Sequence, residues 1–210
     1  MALKKKFSGL WALGLCLIAS KPAKVASELP KVPSIKDPRF IEECVSHHNE
    51  WRGKVNPPAA NMKYMSWDKE LARLARSWST GCKFSHNPCI TKRYACHDAF
   101  DFVGENIFLG GLKSSPKFVI SSWYNESKYY NFDNLSCSKT CGHYTQVVWA
   151  KSHKVGCAVT NCPNLGGRAT GLFICNYGPA GNYANTYPYI KGKPCSQCPD
   201  GSECLNNTCW

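Results

Sequence analysis

The chain has 210 residues, 14 of them cysteine, and a formal net charge of +12. Cysteine usage this dense excludes a reducing intracellular compartment as its working place and implies an oxidising route. Nucleic acid is therefore excluded as a partner for the surplus positive charge. Anionic glycans, phospholipid headgroups and acidic protein patches are the candidates, beside the plain reading that the charge only keeps the protein soluble.

Lys4, Lys5 and Lys6 precede an apolar stretch from Phe7 to Ala19, and small residues follow at Ala19–Ser20 and Ala26–Ser27. The run is too short to span a bilayer and reads as a signal peptide over 1–20, cleaved between 20 and 27. No second long apolar run occurs, and no hydrophobic anchor tail precedes Trp210. The expectation is a secreted product without a transmembrane segment, free in the extracellular space or held peripherally on a cell surface. Cleavage removes Cys16 and three lysines, which leaves 13 cysteines, an odd number, and a charge of +9.

Residues 21–36 hold three prolines and no periodicity, so they read as a leader. Asp37-Pro38 then supplies an N-cap with Pro at the first helical position. Ile41, Cys44, Val45, His48 and Trp51 share one helical face, and Asn56-Pro57-Pro58 stops the helix. A second helix follows Asp68, with Leu71, Ala72, Leu74, Ala75, Trp78 and Cys82 at three- and four-residue steps. Val103 to Leu109 reads as extended and ends at Gly110-Gly111. A third helix starts near Ser114–Pro116 and buries Val119, Ile120 and Trp123, with Glu126 a turn beyond. After that the period changes: Val155, Cys157 and Val159 alternate, as do Phe173, Cys175 and Tyr177, which predicts a hairpin. Helices first and antiparallel strands later imply an α+β layered domain over 37–190.

From about Lys191 the composition shifts. Cys195, Cys198, Cys204 and Cys209 stand with hardly any large apolar residue between them, so 191–210 reads as a short stapled segment. Outside a cell, two disulfides explain this spacing better than zinc does. Cys89 and Cys96 lie close enough in sequence to join locally. Cys44, on an apolar helix face, is expected to be the unpaired thiol and a small buried hydrophobe. Three sequons, at Asn125, Asn134 and Asn206, are usable glycosylation sites in a secretory protein. Asn125 and Glu126 point about 100° apart on a helix, so one can carry a glycan while the other faces inward.

Four ordered stretches carry a resemblance: His48-Asn49 with Arg52, Gly104-Glu105-Asn106-Ile107, Gly142 to Trp149 (GHYTQVVW), and Phe173 to Tyr183 (FICNYGPAGNY). Together they resemble the CAP superfamily of cysteine-rich secretory proteins, insect venom antigens and plant pathogenesis-related proteins. The resemblance implies an α-β-α sandwich with a central antiparallel sheet. It also implies the pairs Cys82–Cys162, Cys137–Cys141 and Cys157–Cys175, with Cys195–Cys204 and Cys198–Cys209 in a C-terminal hinge. The superfamily's cleft residues fall on His86, Glu105, Glu126 and His143. Two imidazoles suit Zn²⁺, and carboxylates behind them can orient the rings or take protons from a bound water. Equally, buried His–Glu pairs satisfy themselves by charge-assisted hydrogen bonds and need no ion. Weak Zn²⁺ binding through His86 and His143, with Glu105 and Glu126 behind them, is the expectation.

The other histidines, His47, His97 and His153, read as surface or loop positions, and His48 as a core hydrogen-bonding residue. Ser85 adjoins His86, but no G-x-S-x-G elbow exists, so a serine-protease reading ranks low. The aromatic run 128–136 corresponds to a loop associated with sterol binding in some superfamily members; ordinary packing is the alternative. The expected function is recognition of an extracellular protein or glycan by a monomer or weak dimer. In relatives such recognition serves sperm–egg contact or defence. A Zn-dependent hydrolase and a carrier of sterol or anionic lipid are the alternatives. Because the chain stops at Trp210, the further cysteine-rich domain of channel-directed relatives is not expected.

Overall fold

The computed structural model describes residues 31–210. The expected signal peptide, its expected cleavage site and Cys16 lie outside the described residues. The first helix, α1 (Pro38–Arg52), starts where the Asp37 side chain accepts from the Arg39 amide and Pro38 needs no donor. A two-residue strand β1 (Ser66–Trp67) leads into α2 (Lys69–Thr80), capped by Asp68 on the amides of Glu70 and Leu71. Next come β2 (Gly104–Gly111) and α3 (Pro116–Tyr124), the latter capped by Ser115. A 3₁₀ turn at Asn125–Tyr129 feeds the short hairpin β3 (Tyr130–Asn131) and β4 (Ser136–Cys137). Then follow α4 (Gly142–Val147), β5 (Lys154–Asn161), α5 (Pro163–Gly166) and β6 (Thr170–Gly178). The chain closes on the hairpin of β7 (Cys204–Leu205) and β8 (Thr208–Cys209).

The main sheet has the order β1-β5-β6-β2; its long strands are antiparallel, and β1 adds a short parallel edge. Helices cover both faces. On one, Phe40, Val119, Ile120, Trp123 and Val147 pack on Val155, Phe173 and Tyr177. On the other, Ala75 of α2 packs on Ile107, Ala158, Leu172 and Ile174. The result is an α-β-α sandwich, in which each fully buried aliphatic side chain contributes about 1.5–3 kcal/mol. Gly156 lets α2 lie directly on β5: a Cβ there would stand 2.0 Å from the Ala72 amide nitrogen.

Six disulfides staple this arrangement: Cys82–Cys162, Cys89–Cys96, Cys137–Cys141, Cys157–Cys175, Cys195–Cys204 and Cys198–Cys209. Cys157 and Cys175 are register partners on β5 and β6, so their bridge sits inside the core. Cys44 is the free cysteine among the described residues, and it is fully buried.

Three local readings need correction. The buried face of α1 is Phe40, Cys44, His48, Asn49 and Arg52, whereas Ile41, Val45 and Trp51 are only half-buried. Polar side chains take the inner positions because backbone groups await them there. Asn49 accepts from the Met65 amide at 2.7 Å and donates to the Met65 carbonyl at 2.8 Å. Arg52 donates to the carbonyls of Lys63, Val147, Trp149, Ala150 and Ser152 at 2.6–3.3 Å. Cys82 is not on α2: the helix ends at Thr80, and Cys82 takes a left-handed conformation at φ 47° that turns it toward Cys162. His97 lies in a loop as expected, yet its side chain is only 11% exposed, packed on Phe100.

Residues 191–210 are more than a stapled tail. Their backbone docks on the segment after α1: Gly192 N donates to Pro58 O, Gln197 N to Ala60 O and Cys209 N to Met62 O, at 2.7–2.9 Å. In return Tyr64 N donates to Cys209 O at 2.8 Å, and the Tyr64 and Trp210 rings meet edge to face.

Candidate functional site

The loop after α2 carries His86 to the start of β2. Its Nδ1 lies 2.8 Å from Glu105 Oε1, which also accepts from the Asn87 amide at 3.0 Å. The second oxygen of Glu105 accepts from Asn176 Nδ2 on β6 at 3.3 Å. The Glu105 side chain is completely buried, while that of His86 is 57% exposed. Three donors meet the buried carboxylate, and its hydrogen bond holds the His86 pKa above the usual imidazole value.

The second pair is built from α3's end and α4. Glu126, on the 3₁₀ turn, places Oε1 2.7 Å from His143 Nδ1. Its Oε2 accepts from the amides of His143 and Tyr144 at 3.0 and 3.2 Å, satisfying two donors at the start of α4. The His143 ring stacks on Trp123 with 12° between planes. Asn125 is exposed while Glu126 turns inward, so the two neighbours do point apart.

Both rings therefore use Nδ1–H toward a carboxylate, which leaves each Nε2 as the free nitrogen. A carboxylate behind an imidazole is the usual way of fixing a metal-binding tautomer. Among the described residues no group of three or more His, Cys, Asp or Glu side chains is placed to hold an ion. Imidazole nitrogens are donors of a type that suits Zn²⁺. No Ser or Thr hydroxyl bonds to either ring among the described residues, and Ser85 offers only its carbonyl, which Trp78 Nε1 occupies.

A buried polar chain lies behind His143. His48 Nδ1 meets the Cys44 carbonyl at 2.7 Å and its Nε2 meets Tyr177 OH at 2.9 Å. Asn106 Nδ2 donates to both Tyr177 OH and the His143 carbonyl, at 3.3 and 3.0 Å. Burial pushes the His48 pKa down to about 4, so this ring is neutral at extracellular pH. Sequence reasoning quoted Asn106 and Asn176 inside motifs without giving them a task. The available signal was a buried-strand position occupied by an amide, which needs partners. In the aromatic run 128–136, Tyr130 packs on Tyr144 and Phe132 on Tyr189, as ordinary core contacts.

Residues 45–177 match the family described as "CAP: Cysteine-rich secretory protein family". The chain belongs to the CAP family. As a CAP protein of this secretory family, it has an extracellular role. It is 59% identical over all 210 residues to human GLIPR1-like protein 1 and covers 84% of that relative. Among solved structures it is similar to BmVAL-1, at TM-score 0.68 and 27% identity, covering 87% of this chain and 98% of that one. A CAP-like neighbour crystallised with Zn²⁺, NaASP2, has TM-score 0.64 and 26% identity, covering 82% of this chain and 96% of its own. No helix among the described residues is long and apolar enough to cross a membrane.

Proposed function

We propose that this CAP domain acts by binding, as an extracellular recognition module that engages a protein or glycan at the cell surface or in extracellular fluid. The observation that carries it is the state of the two His–Glu pairs. Both histidines are held by carboxylates, and among the described residues no hydroxyl or thiol stands against either ring to act as a nucleophile. In the same reading the two pairs face one cleft and hold Zn²⁺ weakly and exchangeably through Nε2 of His86 and His143. The Zn²⁺-containing NaASP2 structure supports that reading. When bound, the ion would supply Lewis acidity and charge; the chain's own part is to orient two rings and hold their tautomers.

The setting to assay is gamete contact or host defence, the contexts the resemblance implies. The experiment is titration calorimetry with Zn²⁺, run beside cell binding of the labelled protein. Saturable cell binding that persists in His86→Ala and His143→Ala, with zinc uptake lost in each, is the expected result. Turnover of ester or peptide substrates that vanishes with either histidine would overturn the binding reading.

A further inference from the structure

A second surface, apart from the His–Glu cleft, has the composition of a ligand groove. Two depressions, about 280 and about 600 Å³, share Trp149, Tyr183, Asn185 and Thr186 and so form one continuous channel. Tyr183 and Tyr187 are 50% and 47% exposed along it, set in place by Trp149 and Phe132, whose ring centres lie 6.0 and 5.0 Å away. Asn185 lines both depressions, while Asn182 donates to Gly142 O and accepts from Thr145, and Thr186 donates to Ala184 O.

Lysines stand at both ends. At one end Tyr130 and Cys137 line the channel as register partners of β3 and β4. Tyr129 precedes Tyr130 in the chain, and the ammonium groups of Lys128 and Lys139 lie 5.0 and 4.9 Å from the centre of its ring. Lys151 lines the other end. From residue 127 to residue 199 Asp133 is the only carboxylate, and it pairs with Lys191 at 3.6 Å. Lys128, Lys139 and Lys151 thus have no acidic partner from this stretch. Two ammonium groups converging on one phenol repel each other unless an anion joins them.

We propose that this channel binds a sulfated polysaccharide. Half-exposed tyrosine faces suit the apolar faces of sugar rings, the Asn185 amide suits their hydroxyls, and the unpaired lysines suit sulfates. An anionic membrane is the weaker match, because the anionic leaflet faces the cytoplasm and this protein's role is extracellular. The inference rests on that extracellular role and not on metal at the cleft.

The test is retention of the secreted protein on immobilised heparin at physiological salt. Fully desulfated heparin and phosphatidylserine vesicles serve as comparisons. Lys128→Ala/Lys139→Ala and, separately, Tyr183→Ala should each weaken retention roughly ten-fold, and the lysine pair should also flatten the dependence on log salt. The pair Lys69→Ala/Lys92→Ala removes the same charge elsewhere and should leave retention within about two-fold. Equal loss in that control, equal binding to desulfated heparin, or preferential binding to vesicles would overturn the proposal. Cell binding that resists heparinase but not trypsin would also overturn it, while leaving extracellular recognition standing.

Discussion

Replacing Arg52 with Met tests how the site is held. The guanidinium is fully buried, ends α1, and spends all its N–H groups on five backbone carbonyls of residues 63 and 147–152. Burial pulls its pKa down, to about 9, still high enough to remain a cation. Met fills much of the same volume but donates nothing. Each carbonyl left buried and unpaired costs about 1–3 kcal/mol. The carbonyls of Lys63, Val147 and Ser152 lose this donor, whereas those of Trp149 and Ala150 keep the amides of Ser152 and Lys63 at 3.1 and 3.3 Å; water and loop relaxation recover part. A loss of about 3–5 kcal/mol is expected, the range for breaking a buried charged network. Against a total of about 5–15 kcal/mol that is a large fraction. Arg52→Lys should lose nearly as much, because one ammonium cannot span five acceptors. Guanidinium unfolding under non-reducing conditions, with unchanged m-values, gives the number. A loss below about 1 kcal/mol in the Met variant would refute the argument. The loop released is the one that follows α4, so His143 should also lose its fixed ring orientation, visible in imidazole NMR.

Two further outcomes follow from the same geometry. The His86 pKa is raised in the fold, so its pair with Glu105 contributes stability that is fully present below the unfolded value near ~6.5 and is lost as pH rises through the folded value. Glu105→Gln should return the His86 NMR titration toward the free-imidazole range, and an unchanged midpoint would show that Glu105 is not the cause. Gly156→Ala should destabilise by about 1–3 kcal/mol or more, since the added methyl meets α2 backbone that cannot swing aside; thermal unfolding reads it, and a neutral result would place α2 further from β5.

Much of this architecture is legible in the amino-acid order, for reasons that differ by element. The starts of α1, α2 and α3 are written in Asp37, Asp68 and Ser115, because capping is local chemistry. Which face of α1 turns inward is not local. Hydrophobic periodicity favoured Ile41, Val45 and Trp51, yet Asn49 and Arg52 take inner positions because carbonyls far along the chain converge on them. His86, Glu105, Glu126 and His143 were collected only through motif likeness. The structure sorts them into two pairs, each joined through Nδ1, which spacing alone has no means to express. The cysteine spacing after residue 190 announced staples but not the backbone pairing with residues 58–64, since β-type pairing leaves no mark on a strand of two residues.

The two cystines of that last segment interlock across an exposed turn. Pro199, Asp200 and Gly201 lie on the surface between Cys198 and Cys204. A protease cutting there would separate Cys195 and Cys198 from Cys204 and Cys209, but each bridge crosses the cut. The severed piece would stay covalently attached and still be hydrogen-bonded to Met62 and Tyr64. In protease-rich extracellular fluid this segment can thus be nicked without being shed.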